Sequence, residues 1–381
     1  MKRNTEKLFV ILFVGTLFLF STLFFLLPHQ RFSELENRYL QRLPKLTLDN
    51  VLTSNFTEQA ESYVTDHFPF RNTWLSVKSV GEQARLQQEN NGIYKGQDEY
   101  LFEKFVQPDY ERLQDYIEAV NVFAENHPSM NMTLMLAPTS VGLYPERLPW
   151  LAPSYPQEKV NDFVGNHLAQ RVTYLNGFDF LRPHASESIY YRTDHHWTTY
   201  GAYLAYVAYA EEKGWLALSQ HDFFIQQVSH TFLGSYHTRS QFHGLKSDTI
   251  DVYRPQKQVA TKIFIADTSE TITTMYDESF LKKKDQYAYF LGGVHALMTL
   301  TSDLDIGQQI EQDKLLIIKD SYAHNVIPFL TNHIPEIHVI DIRYYNGSIA
   351  EYMADNGLED VLYIFNTATF VEEASLLKLN N

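Results

Sequence analysis

The sequence predicts an α/β fold, a parallel sheet with helices on both faces, and three observations point to it. Four short apolar runs read as strands buried on both sides: "MTLMLAPTSVGLYP" (132–145), "KLLIIKDS" (314–321), "IHVIDIRYY" (337–345) and "DVLYIFNTAT" (360–369). Between the later runs lie "YAHNVIPFLTNH" and "GSIAEYMADNGL", whose apolar spacing is helical. The chain has 381 residues, 44% hydrophobic and 14% aromatic, enough to bury the core of one large domain or two smaller ones. No unit of 20 to 50 residues repeats, which excludes solenoids and propellers.

At the N-terminus, Lys2, Arg3 and Lys7 precede an uncharged run from Leu8 to Leu27 that Pro28 closes. At about 1.5 Å per residue it is roughly 30 Å of helix, the thickness of a hydrocarbon core. A cleaved signal peptide is the alternative, but its apolar core is shorter and ends in a small-x-small site, which "FFLLPHQRFSELENR" does not offer. The expectation is an uncleaved single-pass anchor in the cell membrane, with the basic end cytoplasmic and the main domain outside. This gives residues 1–28 as tail and transmembrane anchor. Residues 29–55, poor in apolar side chains, are a stalk, and 56–381 are the main domain.

Within that domain, residues 56–86 have helical spacing interrupted at Pro69. Residues of about 219–289 are polar, aromatic and strand-rich with weak periodicity, and read as an inserted lid or small β-rich layer. The chain has no cysteine, consistent with an extracytoplasmic location and excluding a disulfide framework or a thiolate zinc site. Its net charge is −15; Lys2, Arg3 and Lys7 against Glu6 give the first 27 residues +2, so the rest carries −17. Such a body repels nucleic acid and other polyanions, and a neutral sugar polymer or a cationic or zwitterionic surface is an easier partner.

Two motifs carry chemistry. In "YYRTDHHWTTYGAY" (190–203), Thr198 or Thr199 caps a helix that Gly214 stops, so Asp194, His195, His196 and Trp197 lie on its entering loop. There a carboxylate can orient an imidazole two residues on, the orienter and base of a serine hydrolase; simple helix capping is the alternative. In "KLLIIKDSYAHNVIPFL" a buried strand ends at Asp320 and Ser321 and a helix starts at once. A serine so placed is exposed in the crevice of such a sheet, beside backbone N–H groups that stabilise an oxyanion, although serine is also a common N-cap. Arg343, after a strand, either binds substrate or braces Asp341, and bracing is favoured. Most of the 25 tyrosines are core or surface residues, and some could stack on sugar rings.

These motifs, with "FSELENRYL", "YVTDHFPFRNTW", "NNGIYKGQDEYLFE" and "VIDIRYYNGS", resemble the DHHW family of bacterial membrane-anchored proteins, itself similar to alginate O-acetyltransferase-type SGNH hydrolase-like proteins. The resemblance covers nearly the whole chain beyond the anchor. It implies a three-layer α/β/α, permuted SGNH-like sheet, with Asp194, His196 and Ser321 as acid, base and nucleophile. It also implies a polysaccharide acceptor, and a membrane-bound O-acyltransferase as acyl donor. No cofactor is expected. Gly293 and Tyr322 are the expected oxyanion donors, with His195 and Arg343 at the substrate. Where relatives carry Gly-Gly-Asn this chain has Gly292, Gly293 and Val294, and valine lacks the side-chain amide. An esterase acting on the same polymer and a non-catalytic envelope scaffold are the alternatives. A metal site is disfavoured, since the chain has no H-E-x-x-H and adjacent histidines on a loop do not imply ligand geometry.

Overall fold

The computed structural model describes residues 2–33, 38–45, 55–304 and 312–380. The chain forms two compact units, Met1–Asn90 with Thr238–Gly244, and Asn91–His237 with Leu245–Asn381. In the first, α1 (Lys2–Leu26) contains the stretch Thr5–Leu26, long and apolar enough to cross a membrane, with none of it buried. Helices α2 (Asn55–Asp66) and α3 (Arg71–Ala84) follow, separated at Pro69 as the sequence predicts. Much of the expected stalk, residues 34–37 and 46–54, lies outside the described residues.

The second unit is built on an eight-stranded sheet. Its strands are β1 (Asn131–Ala137), β2 (Val172–Asn176), β3 (Ala260–Ile265), β4 (Glu270–Ile272), β5 (Leu297–Asp303), β6 (Lys314–Lys319), β7 (Glu336–Asp341) and β8 (Asp360–Asn366). They lie in the order β4-β3-β5-β7-β6-β8-β1-β2. The five strands from β7 to β2 are parallel, with Ile317 beside both Val339 and Leu362, and Tyr363 beside Leu134. Leu315, Leu316, Ile317 and Ile318 are all 0% exposed, so β6 is covered on both faces. The four apolar runs are thus β1, β6, β7 and β8.

The sheet is mixed rather than wholly parallel, because β4, β3 and β5 extend it in antiparallel pairing. A tight connection joins β3 to β4, with Ile265 opposite Glu270, and short connections permit only antiparallel neighbours. The stretch 219–289 therefore contributes two strands to the main sheet, besides a separate hairpin of Phe223–Phe232 with Asp248–Pro255. The longer helices of this unit are α4 (Tyr110–Asn126), α5 (Gln157–His167), α6 (Thr199–Lys213) and α7 (Ile349–Asn356). Thr198 caps α6 by accepting the Gly201 N–H, and Gly214, at φ 70°, ends it in the left-handed conformation glycine adopts freely. Because β1, β6, β7 and β8 are parallel, Thr139, Ser321, Asp341 and Asn366 gather at one edge of the sheet, the edge where ligands bind in such folds.

Candidate active site

The loop entering α6 is held from below. Asp248 accepts the N–H and hydroxyl of Thr193 at 2.9 and 2.7 Å and the N–H and side chain of Arg192, so the next residues leave in one direction. Asp194 then folds back on the loop: its Oδ1 accepts the His196 N–H at 2.9 Å and Nδ1–H at 2.5 Å, while its Oδ2 accepts the Ser235 N–H at 2.6 Å. The two-residue spacing of Asp194 and His196 makes this double contact possible. Burial on its own would raise the Asp194 carboxyl, but the adjacent His195 and His196 imidazoles and these hydrogen bonds hold it well below the ordinary carboxylate range.

On the far side of the ring, the Ser321 hydroxyl donates to His196 Nε2 at 2.7 Å, across 125 residues of sequence. Ser321 follows β6 directly and opens a 3₁₀ turn, Ser321–Asn325, capped by Asp320. The fully buried Trp197 ties loop to turn, its indole N–H donating to Tyr322 O at 3.0 Å and Asn325 Oδ1 at 2.8 Å. Asp194, His196 and Ser321 thus form one continuous hydrogen-bonded line.

Gly234 sits against this line: a Cβ there would come within 2.3 Å of both Cβ and Oδ2 of Asp194. Gly234→Ala is therefore expected to push the carboxylate off His196. A misplacement of this order lowers the rate of any reaction at Ser321 by about 10²-fold, measurable as the rate of Ser321 acylation by an activated ester.

The other expected site residues have the following partners. The Tyr322 N–H donates to Asp320 Oδ1 at 2.8 Å, and its hydroxyl donates to the His195 carbonyl at 2.5 Å. Gly293, at φ 96° on a turn, gives its N–H to Phe290 O at 3.3 Å, and Val294 beside it is half-exposed. Ser321 bonds His196 through its hydroxyl and accepts from Tyr287 at its carbonyl. Arg343 grips Asp341 with two nitrogens, at 2.8 and 2.7 Å, and Asp341 also accepts from the fully buried Lys319 at 2.9 Å. His195 bonds Ser235 Oγ at 2.6 Å, and burial together with neighbouring His196 pushes its imidazole down to about 4.

His195 also forms part of the wall of a cleft of about 500 Å³, with Thr139, Gln157, Tyr236 and Asn366. Asn366 connects the cleft to the end of β6: its N–H and side-chain amide donate to Asp320 Oδ2 at 2.8 and 2.6 Å. Four carboxylates, of Glu103, Asp109, Glu372 and Glu373, line the cleft against two cations, Lys104 and Arg112.

Tyr287 is the site residue that sequence reasoning missed. Its ring lies flat on the His196 imidazole and its hydroxyl donates to Ser321 O at 3.2 Å. "DQYAYF" carries no motif that would single it out from the other tyrosines. As to metals, one ligand atom from each of Asp194, His195 and His196 falls within 4.8 Å of the others. Both His196 nitrogens and His195 Nδ1 are hydrogen-bonded, to Asp194, Ser321 and Ser235.

Comparison with known proteins matches residues 111–340 to the family model described as DHHW protein. No curated protein matches the chain. Among solved structures, a DHHW family protein from Eubacterium siraeum DSM 15702 is similar at TM-score 0.66 and 24% identity, over 77% of this chain and 96% of that one. Bacillus cereus PatB1 with a sulfonyl adduct is similar at TM-score 0.63 and 15% identity, over 76% of this chain and 100% of that one. A second Bacillus cereus PatB1 structure gives 0.62 and 16%, over 73% and 96%. At these identities the likeness is one of fold.

Proposed function

The chain belongs to the DHHW protein family, and on that premise we propose that it is a membrane-anchored, extracytoplasmic acyltransferase that O-acetylates a cell-surface or secreted polysaccharide. The observation that carries this reading is the line Asp194–His196–Ser321, with contacts of 2.5 and 2.7 Å. In the first half-reaction, His196 Nε2 takes the Ser321 proton while Oγ attacks the donor carbonyl. Collapse of the tetrahedral intermediate expels the leaving group, which takes that proton from His196. In the second, a sugar hydroxyl gives its proton to His196 and attacks the acyl carbon, and Ser321 departs protonated. Asp194 holds the imidazole in the tautomer that presents a free Nε2 and stabilises the imidazolium.

The acid–base–serine order supports a permuted SGNH-type catalytic domain over residues 56–381, on a stalk at 29–55 and an anchor at 1–28. The basic residues before the apolar helix support a cytoplasmic N-terminus. The cleft beside His195 suits the acceptor, and its excess of carboxylates favours an uncharged or cationic sugar over a uronate. A membrane-bound O-acyltransferase is the proposed donor. Water in place of the sugar makes the same site an esterase, and the two are separated by whether the acetyl group ends on oligosaccharide or in solution.

A specific feature favours a second reading, a non-catalytic envelope scaffold. The Tyr322 and Gly293 N–H groups are engaged by Asp320 and Phe290, and Val294 offers no amide. Loss of one oxyanion donor typically costs about 2.7–4 kcal/mol of transition-state stabilisation. The test is peptide mass spectrometry of the full-length chain after treatment with a sulfonyl fluoride or an activated acetyl ester. A single adduct on Ser321 is expected. A folded protein left unmodified at Ser321 would sink the transferase and esterase readings together and leave the scaffold.

A further inference from the structure

We propose that Tyr287 is a positioning residue for the general base, selecting the charged form of His196 over the neutral one; this rests on His196 being the base. The two ring centroids are 3.6 Å apart and the planes 10° from parallel. Two neutral aromatic rings prefer an offset or an edge, because their negative faces repel in a sandwich. A cationic ring over the same face is attracted. The stack therefore contributes little while His196 is neutral and more once it has taken the Ser321 proton, which is the differential that accelerates a reaction.

The ring is also fixed in place. It is buried, meets Tyr191 edge-on at 6.4 Å and Phe290 at 5.4 Å, and is tied by its hydroxyl to the Ser321 carbonyl. The residue thus joins base and nucleophile without lying on the proton path. It comes from the stretch 219–289, which gives that stretch a part in the chemistry. Burial lifts the Tyr287 phenol well above its ordinary value, so it stays neutral.

The other groups around His196 do not duplicate this effect. Asp194 and His195 stand on its own loop, the latter ring at 3.7 Å and 39° and kept neutral. Ser321 and Tyr322 face it from the turn after β6. His324 interacts with His196 but is pushed well below its ordinary value by burial and stays neutral, the buried Asp320 carboxyl is raised, and Lys284 interacts with Asp194.

The experiment follows the rate at which phenylmethylsulfonyl fluoride modifies Ser321 in the full-length chain as a function of pH. In this step the Ser321 Oγ–S bond forms, the S–F bond breaks, fluoride leaves, and the hydroxyl proton passes to His196 and then to solvent. Tyr287→Leu is expected to lower the plateau rate by ~3- to 30-fold and to move the half-plateau pH downward by about 0.5–1 unit. Tyr287→Phe, which keeps the face and loses the hydroxyl, should hold the half-plateau pH within about 0.2 unit. Tyr287→Met serves as a second aliphatic replacement, and thermal unfolding identifies which variants fold. A merely structural role would lower the plateau without moving the profile, so a folded aliphatic variant with the wild-type half-plateau pH overturns the proposal. So does a Phe variant that shifts as far as the aliphatic ones. Absence of any adduct on wild-type Ser321 overturns the base assignment itself, and is distinguishable because it precedes any comparison of variants.

Discussion

His196→Ala is expected to slow acylation of Ser321 by about 10²- to 10⁴-fold, while His195→Ala, one residue away, costs a fewfold at most. The two imidazoles have nearly parallel histories in the sequence but opposite placements. His196 is clamped between Asp194 Oδ1 and Ser321 Oγ, whereas His195 Nδ1 is turned to Ser235. The acid limb of the rate profile separates them further. Asp194 is held below the ordinary carboxylate range and stays ionised; His195, at about 4, stays neutral at neutral pH. Neither group therefore accounts for a loss of rate on mild acidification. Rates of Ser321 modification for the two alanine variants between pH 5 and 9 check this, and equal losses in both would remove His196 from its assigned role.

The second large effect concerns folding. Asp341 and Lys319 are both 0% exposed, and Asp341 also holds Arg343. Asp341→Leu strands the Lys319 ammonium in the core beside His324, which receives its contact at 2.8 Å. Removing one partner of a buried pair costs about 3–5 kcal/mol. Lys319→Met is expected to cost clearly less, because Asp341 keeps both bonds to Arg343. Urea midpoints of the full-length variants measure the asymmetry, and equal shifts would mean that Arg343 does not compensate the carboxylate.

The parallel part of the sheet was legible because strands covered on both faces must be apolar throughout, and β1, β6, β7 and β8 announce themselves as runs. Strand β2 escaped notice: in "VTYLN" Val172 alone is buried, so no run and no clear alternation marks it. Strand β3 does alternate, exposed and buried, yet its pairing with β5 across some forty residues is a tertiary fact that no local pattern carries. At the site, the spacing of Asp194 and His196 was readable because it is local. The engagement of the Tyr322 N–H by Asp320 depends on one side-chain rotamer, and the position of Tyr287 on how a distant turn packs. Neither leaves a trace in the order of residues.

The order of the strands sets the order in which the site can come into being. Strand β8, residues 360–366, lies between β6 and β1, so the neighbours on either side of it are synthesised long before the strand that joins them. Asp320, which braces the turn after β6, takes two of its hydrogen bonds from Asn366 at the end of β8. A nascent chain that has reached residue 359 already contains Asp194, His196 and Ser321 but has no continuous sheet to hold them in line. On the proposed reading, reactivity at Ser321 therefore waits for β8, and a chain that ends before it has no aligned nucleophile.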